Sequence, residues 1–248
     1  MKSFSPLLLV LCCWMPFAVP AIAADFHVTT NVYQGNARVP AVAYQTIFQK
    51  NVVYDIATTH PRQVTVVDYV SGKITLLDLQ RRVKLEMDTQ QVLEHSAYFK
   101  SHGEFRGPLL EFLKAPQFET EFSAATNTLT MSGGPLSYEI ALQPIDNQAA
   151  ADEYARFCDW SAQLNFVCAG GDPPQARIEV NGQMRSRRRI PLEIRKTIRN
   201  ANPADTVTLR STHDFRWQLN ESDAAMIKNL QHDLAQAKPV KYADYVRR

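Results

Sequence analysis

Residues 41–88 constrain the fold more than any other part of the chain. They read as five short strands joined by turns too tight for anything but antiparallel pairing. Val52, Tyr54 and Ile56 alternate with Val53 and Asp55, and Val64, Val66, Asp68 and Val70 alternate with Thr65, Val67 and Tyr69. Ile74 to Leu79 follows across Ser71-Gly72, then Val83, Leu85 and Met87 alternate with Arg82, Lys84, Glu86 and Asp88. A period of two with turn residues every eight to twelve positions marks an up-and-down antiparallel sheet.

The first 23 residues are expected to lie outside that fold. Lys2, the apolar run Leu7 to Val19 and the small-residue pattern Ala21-Ile22-Ala23 read as an export signal, which places the mature chain in the periplasm or outside the cell. Pro16 and Pro20 interrupt the run, and it is too short for a spanning helix. Leu11 precedes Cys12 where a lipid-attachment site wants a small residue, so a plain secretory signal is preferred to a lipid anchor. The remainder, 24–248, is read as a single domain long enough to need no disulfide or metal staple. With Lys2 removed, 26 basic residues face 25 acidic ones, a balance that argues against nucleic acid as a partner. No later apolar stretch approaches a membrane span, and the mature chain is expected to be soluble.

Either side of the ladder the pattern changes. Phe26 to Tyr33 reads as a strand with Phe26, Val28, Thr30 and Val32 on one face. Thr89 caps a helix carrying Val92, Leu93, Ser96 and Phe99, and a short helical piece spans Leu109 to Lys114. Strand signals return at 118–122, 129–131 and 136–142. The longest helix is expected over 147–167. Asn181-Gly182 is the strongest hairpin signal, joining a strand through Ala176, Ile178 and Val180 to one through Met184 to Ile190. A strand over 206–219 and a final helix capped by Ser222 and ended by Pro239 complete the chain. The expected fold is α+β: a large curved antiparallel half-barrel of about eleven or twelve strands, with three or four helices covering one face.

Few residues announce chemistry. Asp55, Asp68 and Asp78 lie on successive predicted strands, and two carboxylates in one site could divide acid and base roles; the simpler reading puts them at strand ends. The histidines His27, His60, His95, His102, His213 and His232 show no metal-ligand spacing, although His95, His102 and Glu104 fall close together. Ser71, Ser132 and Ser161 lack the flanks of a nucleophile elbow, and the Gly-rich stretches lack phosphate-loop spacing. No catalytic residue, metal ligand or cofactor site is assigned, and the chain is read as non-enzymatic. Arg185, Arg187 and Arg189 would share one strand face, with Arg188 opposite, and Arg195, Lys196 and Arg199 follow; this row is the candidate contact for an anionic partner. Its alternative role is a solvated face that discourages edge pairing. Cys158 and Cys168 are a candidate disulfide in an oxidising compartment. On one straight helix they would stand about 15 Å apart, so a bond requires the helix to end before Cys168, as the run Ala169-Gly170-Gly171-Asp172-Pro173-Pro174 would allow.

The order of parts resembles the periplasmic lipoprotein-carrier superfamily. The resemblance rests on Val53-Tyr54-Asp55, Val64 to Asp68, Lys73-Ile74-Thr75-Leu76-Leu77-Asp78 and Arg81-Arg82-Val83-Lys84, a ladder similar to that of a set of uncharacterised secreted bacterial proteins. It implies a curved half-barrel whose helices form a lid over an apolar cavity. The chain departs from the carriers in opening with a strand, and no functional residue of theirs maps onto a position here. The leading expectation is an exported protein binding a lipid or other apolar or amphipathic ligand under a helical lid. The alternatives are an envelope-associated interaction protein using the arginine row and, third, a hydrolase using Asp68 or Asp78. The covered face of the sheet is then either a filled core or the wall of a cavity.

Overall fold

The computed structural model describes residues 25–102, 106–200 and 202–247; the stretch read as an export signal and Glu104 lie outside them. Twelve strands form one open, curved sheet in the order β12-β6-β5-β4-β3-β2-β1-β11-β10-β9-β8-β7, a half-barrel. The first six strands are β1 (Phe26–Gln34), β2 (Val42–Gln49), β3 (Val52–Ala57), β4 (Gln63–Asp68), β5 (Lys73–Asp78) and β6 (Val83–Asp88). Helices α1 (Thr89–His102) and α2 (Pro108–Lys114) precede β7 (Glu119–Ser123), β8 (Thr128–Gly133) and β9 (Leu136–Pro144). Then come α3 (Gln148–Ala169), α4 (Gln175–Ser186), β10 (Arg189–Ile198), β11 (Val207–Arg216), α5 (Glu221–Gln236), β12 (Lys238–Pro239) and α6 (Tyr242–Val246).

Alternation along each strand sends two sets of side chains to two faces. On the inner face, Phe26, Phe48, Val53, Val67, Ile74 and Leu85 pack against Val92 of α1, Tyr154 and Phe157 of α3 and Tyr245 of α6. Phe48 joins the layers, stacking on Phe26 at 4.0 Å and meeting Phe157 edge-on at 5.7 Å. Burial of each such ring contributes roughly 1.5–3 kcal/mol. A second inner cluster packs β8, β9 and β10 against α2 and α4 through Leu129, Met131, Ile140, Ile194, Leu113 and Val180. The outer face is also used. Ile47, Tyr54, Ile56, Val64 and Leu77 pack against Ile227 and Leu230 of α5, so this helix adds a cover on the side opposite the others.

Both sheet edges are guarded. The β7 edge shows exposed Glu119 and Glu121, and the β6 edge pairs in parallel with β12. Within the sheet, Pro191 is accommodated where the β9–β10 register shifts between Pro191 and Glu193, since proline gives the ladder no N–H.

Three sequence expectations are corrected. The hairpin at Asn181-Gly182 does not form, because 175–186 is the helix α4. Ala176, Val180 and Met184 are spaced by four and enter the second inner cluster. Asn181 is fully buried and donates to Asp159 Oδ1 of α3 at 2.7 Å. The arginine row on a strand face is therefore absent: Arg185 lies in the last turn of a helix, Arg187 caps it and Arg188 adopts a left-handed φ of 52° before β10 begins at Arg189. The disulfide is absent too. Cys158 and Cys168 are free thiols on the uninterrupted helix α3, whose end comes only at Gly170, in the left-handed conformation that favours glycine.

Candidate functional site

Cross-strand register assembles the site. Thr46 of β2 stands opposite Asp55 of β3, and Asp55 stands opposite Thr65 of β4, so these side chains form one row on the inner face. The adjacent row runs His213 of β11, Thr30 of β1, Tyr44 of β2 and Ala57 of β3. The middle of the inner face is thus polar, whereas the clusters on either side of it are apolar. Helices α3 and α4 pass over these rows without filling the space beneath. A cavity of about 690 Å³ remains, floored by the two rows and roofed by Tyr154, Phe157, Cys158, Ser161 and Arg177. Val32, Val42, Leu164 and Leu209 supply apolar wall.

Each polar group in the floor has a physical consequence. Burial raises the Asp55 carboxyl to about 6, against the pull of the hydrogen bond that Thr46 Oγ1 donates to Oδ1 at 2.7 Å. His213 is held neutral, burial and then the charge of Arg177 driving it down to about 3. Its Nδ1 lies 3.2 Å from both Thr30 Oγ1 and Tyr154 Oη, and its Nε2 lies 3.0 Å from Ser211 Oγ. Burial also raises the Cys158 thiol, against the opposing charge of Arg177, and lifts the Tyr154 phenol well above its ordinary value. Tyr44 is raised by burial and then by the charge of Asp55.

Asp55 is retained at a cost in stability, and the sign of its pH dependence follows. A carboxyl whose folded value lies above its unfolded 3.8 favours the native state most below that value, and the advantage is lost as pH rises towards 6. Asp55→Asn is therefore expected to stabilise the protein by about 2 kcal/mol at pH 8 and by almost nothing at pH 4. Urea titrations at the two pH values check it; an equal effect at both would show that Asp55 does not titrate in this way.

The other sequence candidates lie elsewhere. Asp68 closes its turn by accepting from Val70 N, Ser71 N and Ser71 Oγ, and Asp78 does the same for Gln80 N and Arg81 N. Both end their strands, so neither shares a cleft with Asp55. His27 is paired with Asp223, His95 stacks on Tyr242 and His102 stacks on Tyr98. His60 lines the rim of the cavity, and His232 lies 3.0 Å from Gln236 Nε2 on α5. Among the described residues no group of three or more His, Cys, Asp or Glu side chains could hold a metal. Arg185 is tied to Asp159, Arg187 to Gln183 and Arg189 to Asn127. Arg195 meets Glu193, Lys196 meets Asp172 and Arg199 donates to Gly134 O. Sequence reasoning missed His213, Tyr154 and Arg177. Their convergence depends on how α3, α4 and β11 pack together, which no local pattern reveals.

No family model matches the chain, and no curated protein matches it. Among solved structures, one described as PNGF-II aligns over 90% of this chain and 33% of its own, with 11% identity and a TM-score of 0.36. The chain spans a third of the length of that protein, and likeness at this level carries no argument about function.

Proposed function

We propose that the protein is an exported, non-enzymatic binding protein that holds an amphipathic ligand between the half-barrel and the lid formed by α3 and α4. The observation that carries this reading is the cavity of about 690 Å³, a volume that suits a small organic ligand and stands where a solid core would otherwise lie. Its mixed lining adjusts the expected chemistry. The floor carries Thr46, Asp55, Thr65 and His213, so a wholly apolar ligand would leave the Asp55 charge with Thr46 alone as its hydrogen-bond partner among the described residues, whereas one with a polar head and an apolar body suits both surfaces. The resemblance of the strand ladder to periplasmic lipoprotein carriers points to the same class of ligand. Among the described residues no helix is long and apolar enough to cross a membrane.

Mass spectrometry of solvent extracts of the natively purified protein tests the reading. A co-purifying amphiphile in near-stoichiometric amount, displaced by a fluorescent fatty-acid analogue, is the expected result. Finding neither a bound amphiphile nor binding of the analogue would overturn it. A hydrolase is less well supported: among the described residues, the carboxylate that lines the cavity beside Asp55 is Asp172, which is engaged with Lys196 at 2.6 Å. The envelope-partner reading loses its strand face, because the arginines that would form it are split between a helix end and β10.

A further inference from the structure

We propose that the cavity recognises a zwitterionic head, one bearing both an ammonium group and an acidic group, with Asp55 meeting the first and Arg177 the second. This rests on the proposed binding function and names the chemistry of its ligand. Most charges around the cavity are already compensated. Lys196 pairs with Asp172 at 2.6 Å, and Arg210 pairs with Glu193 at 3.3 Å. Two are not. Asp55 has Thr46 as its hydrogen-bond partner and no cation among the described residues. Arg177, at the start of α4, lies close enough for its charge to act on the Cys158 thiol and has no carboxylate partner among the described residues.

These two opposite charges line one cavity, and no ion pair joins them. Tyr154 lies within the field of both. Both charged side chains are half-buried, and charges partly withdrawn from water are normally paired, because an uncompensated one forfeits part of its hydration. An Asp and an Arg left apart in one enclosure are together complementary to a ligand that carries both missing counter-charges. A purely anionic head would leave Asp55 uncompensated, and a purely cationic head would do the same to Arg177. His213, held neutral, does not alter this balance. Among the other polar groups of the lining, Thr65, Ser161 and Ser211 can hydrogen-bond to either half of such a head.

Isothermal titration calorimetry of the full mature protein at pH 7.5 tests the inference with four probes: a short-chain lysophosphatidylethanolamine, an alkyl phosphate and an alkylamine of matched chain length, and free phosphoethanolamine. The zwitterionic amphiphile is expected to bind about tenfold or more tighter than either singly charged one. Asp55→Asn should abolish its advantage over the alkyl phosphate, and Arg177→Gln its advantage over the alkylamine, while circular dichroism confirms that both variants fold. Equal binding of the three amphiphiles, unchanged in the variants, would overturn the zwitterion assignment and leave the amphiphile reading standing. Free phosphoethanolamine binding as tightly as its lipid form would support the assignment and remove the lipid reading. Failure of all four probes to bind would overturn both.

Discussion

Thr65→Trp is expected to lower the affinity for a bound amphiphile about a hundredfold while leaving the fold intact. Thr65 lies on β4 beside Asp55, half-buried and facing the cavity beneath α3. An indole projecting from this row occupies space otherwise available to the ligand's apolar body. Displacing about four methylene groups removes about 3 kcal/mol at 0.8 kcal/mol each, which corresponds to the hundredfold loss. Tryptophan suits a strand, and the space it enters is empty of protein, so overpacking should be slight. Displacement of a fluorescent fatty-acid analogue, read beside a thermal melt, checks both halves. Undiminished binding by a correctly folded variant would place the ligand elsewhere.

The second large effect concerns the outer face. Asp223→Ala is expected to destabilise the protein by about 4 kcal/mol without altering ligand affinity. The Asp223 side chain is 1% exposed. Its Oδ1 lies 2.8 Å from His27 Nδ1 on β1 and 2.9 Å from Arg216 Nη2 on β11. The same carboxylate accepts from Asn220 N, while Asn220 Oδ1 accepts from Asp223 N, a capping box that starts α5. One residue thus caps the helix and anchors it to two strands. Its removal leaves Arg216 without its carboxylate and His27 without its hydrogen-bond partner on the helix, and loosens the packing of Ile227 and Leu230 on the sheet. For a chain of this size the loss corresponds to a fall in Tm of about 8–16 °C.

The pH dependence of that loss has a definite sign. Burial pushes the Asp223 carboxyl up, but the hydrogen bonds from Arg216, Asn220 and His27 more than offset it and hold the group below its ordinary value of 3.8. A lowered carboxylate contributes fully above its unfolded value, and the contribution fades as pH falls through the folded one. Wild type and Asp223→Ala should therefore differ most near neutrality and converge below about pH 4. Chemical denaturation across that range measures the difference.

The ladder was legible in the sequence because its strands are short, regular and closed by local turns. Val52, Tyr54 and Ile56 face one way with Val53 and Asp55 facing the other whatever lies above or below them, and the five strands over 41–88 are β2 to β6. The α4 region was not legible, for a physical reason. Ala176 and Val180 fit a strand through Ile178 and equally fit a helix through Met184. What decides between them is Asp159 on the preceding helix, which holds both Asn181 and Arg185. The three meander aspartates could have been separated by position. Asp68 and Asp78 are the last residues of their strands, before turns whose N–H groups they accept from, whereas Asp55 has Ile56 and Ala57 still to follow in β3. The polar floor itself needed the register. Thr46, Asp55 and Thr65 become neighbours only once three strands are aligned, and His213 and Arg177 arrive from remote parts of the chain.

The central claim is that the ligand occupies the space between the inner face and α3 rather than any surface around it. Titration of the protein with short-chain lysophosphatidylethanolamine, followed by methyl NMR, tests this most directly. Shifts are expected at Val32, Val42, Leu164 and Leu209, which line the cavity, and not at Ile47, Leu77 or Leu230, which pack under α5 on the outer face. Shifts confined to the outer methyls, or none at saturating ligand, would contradict it.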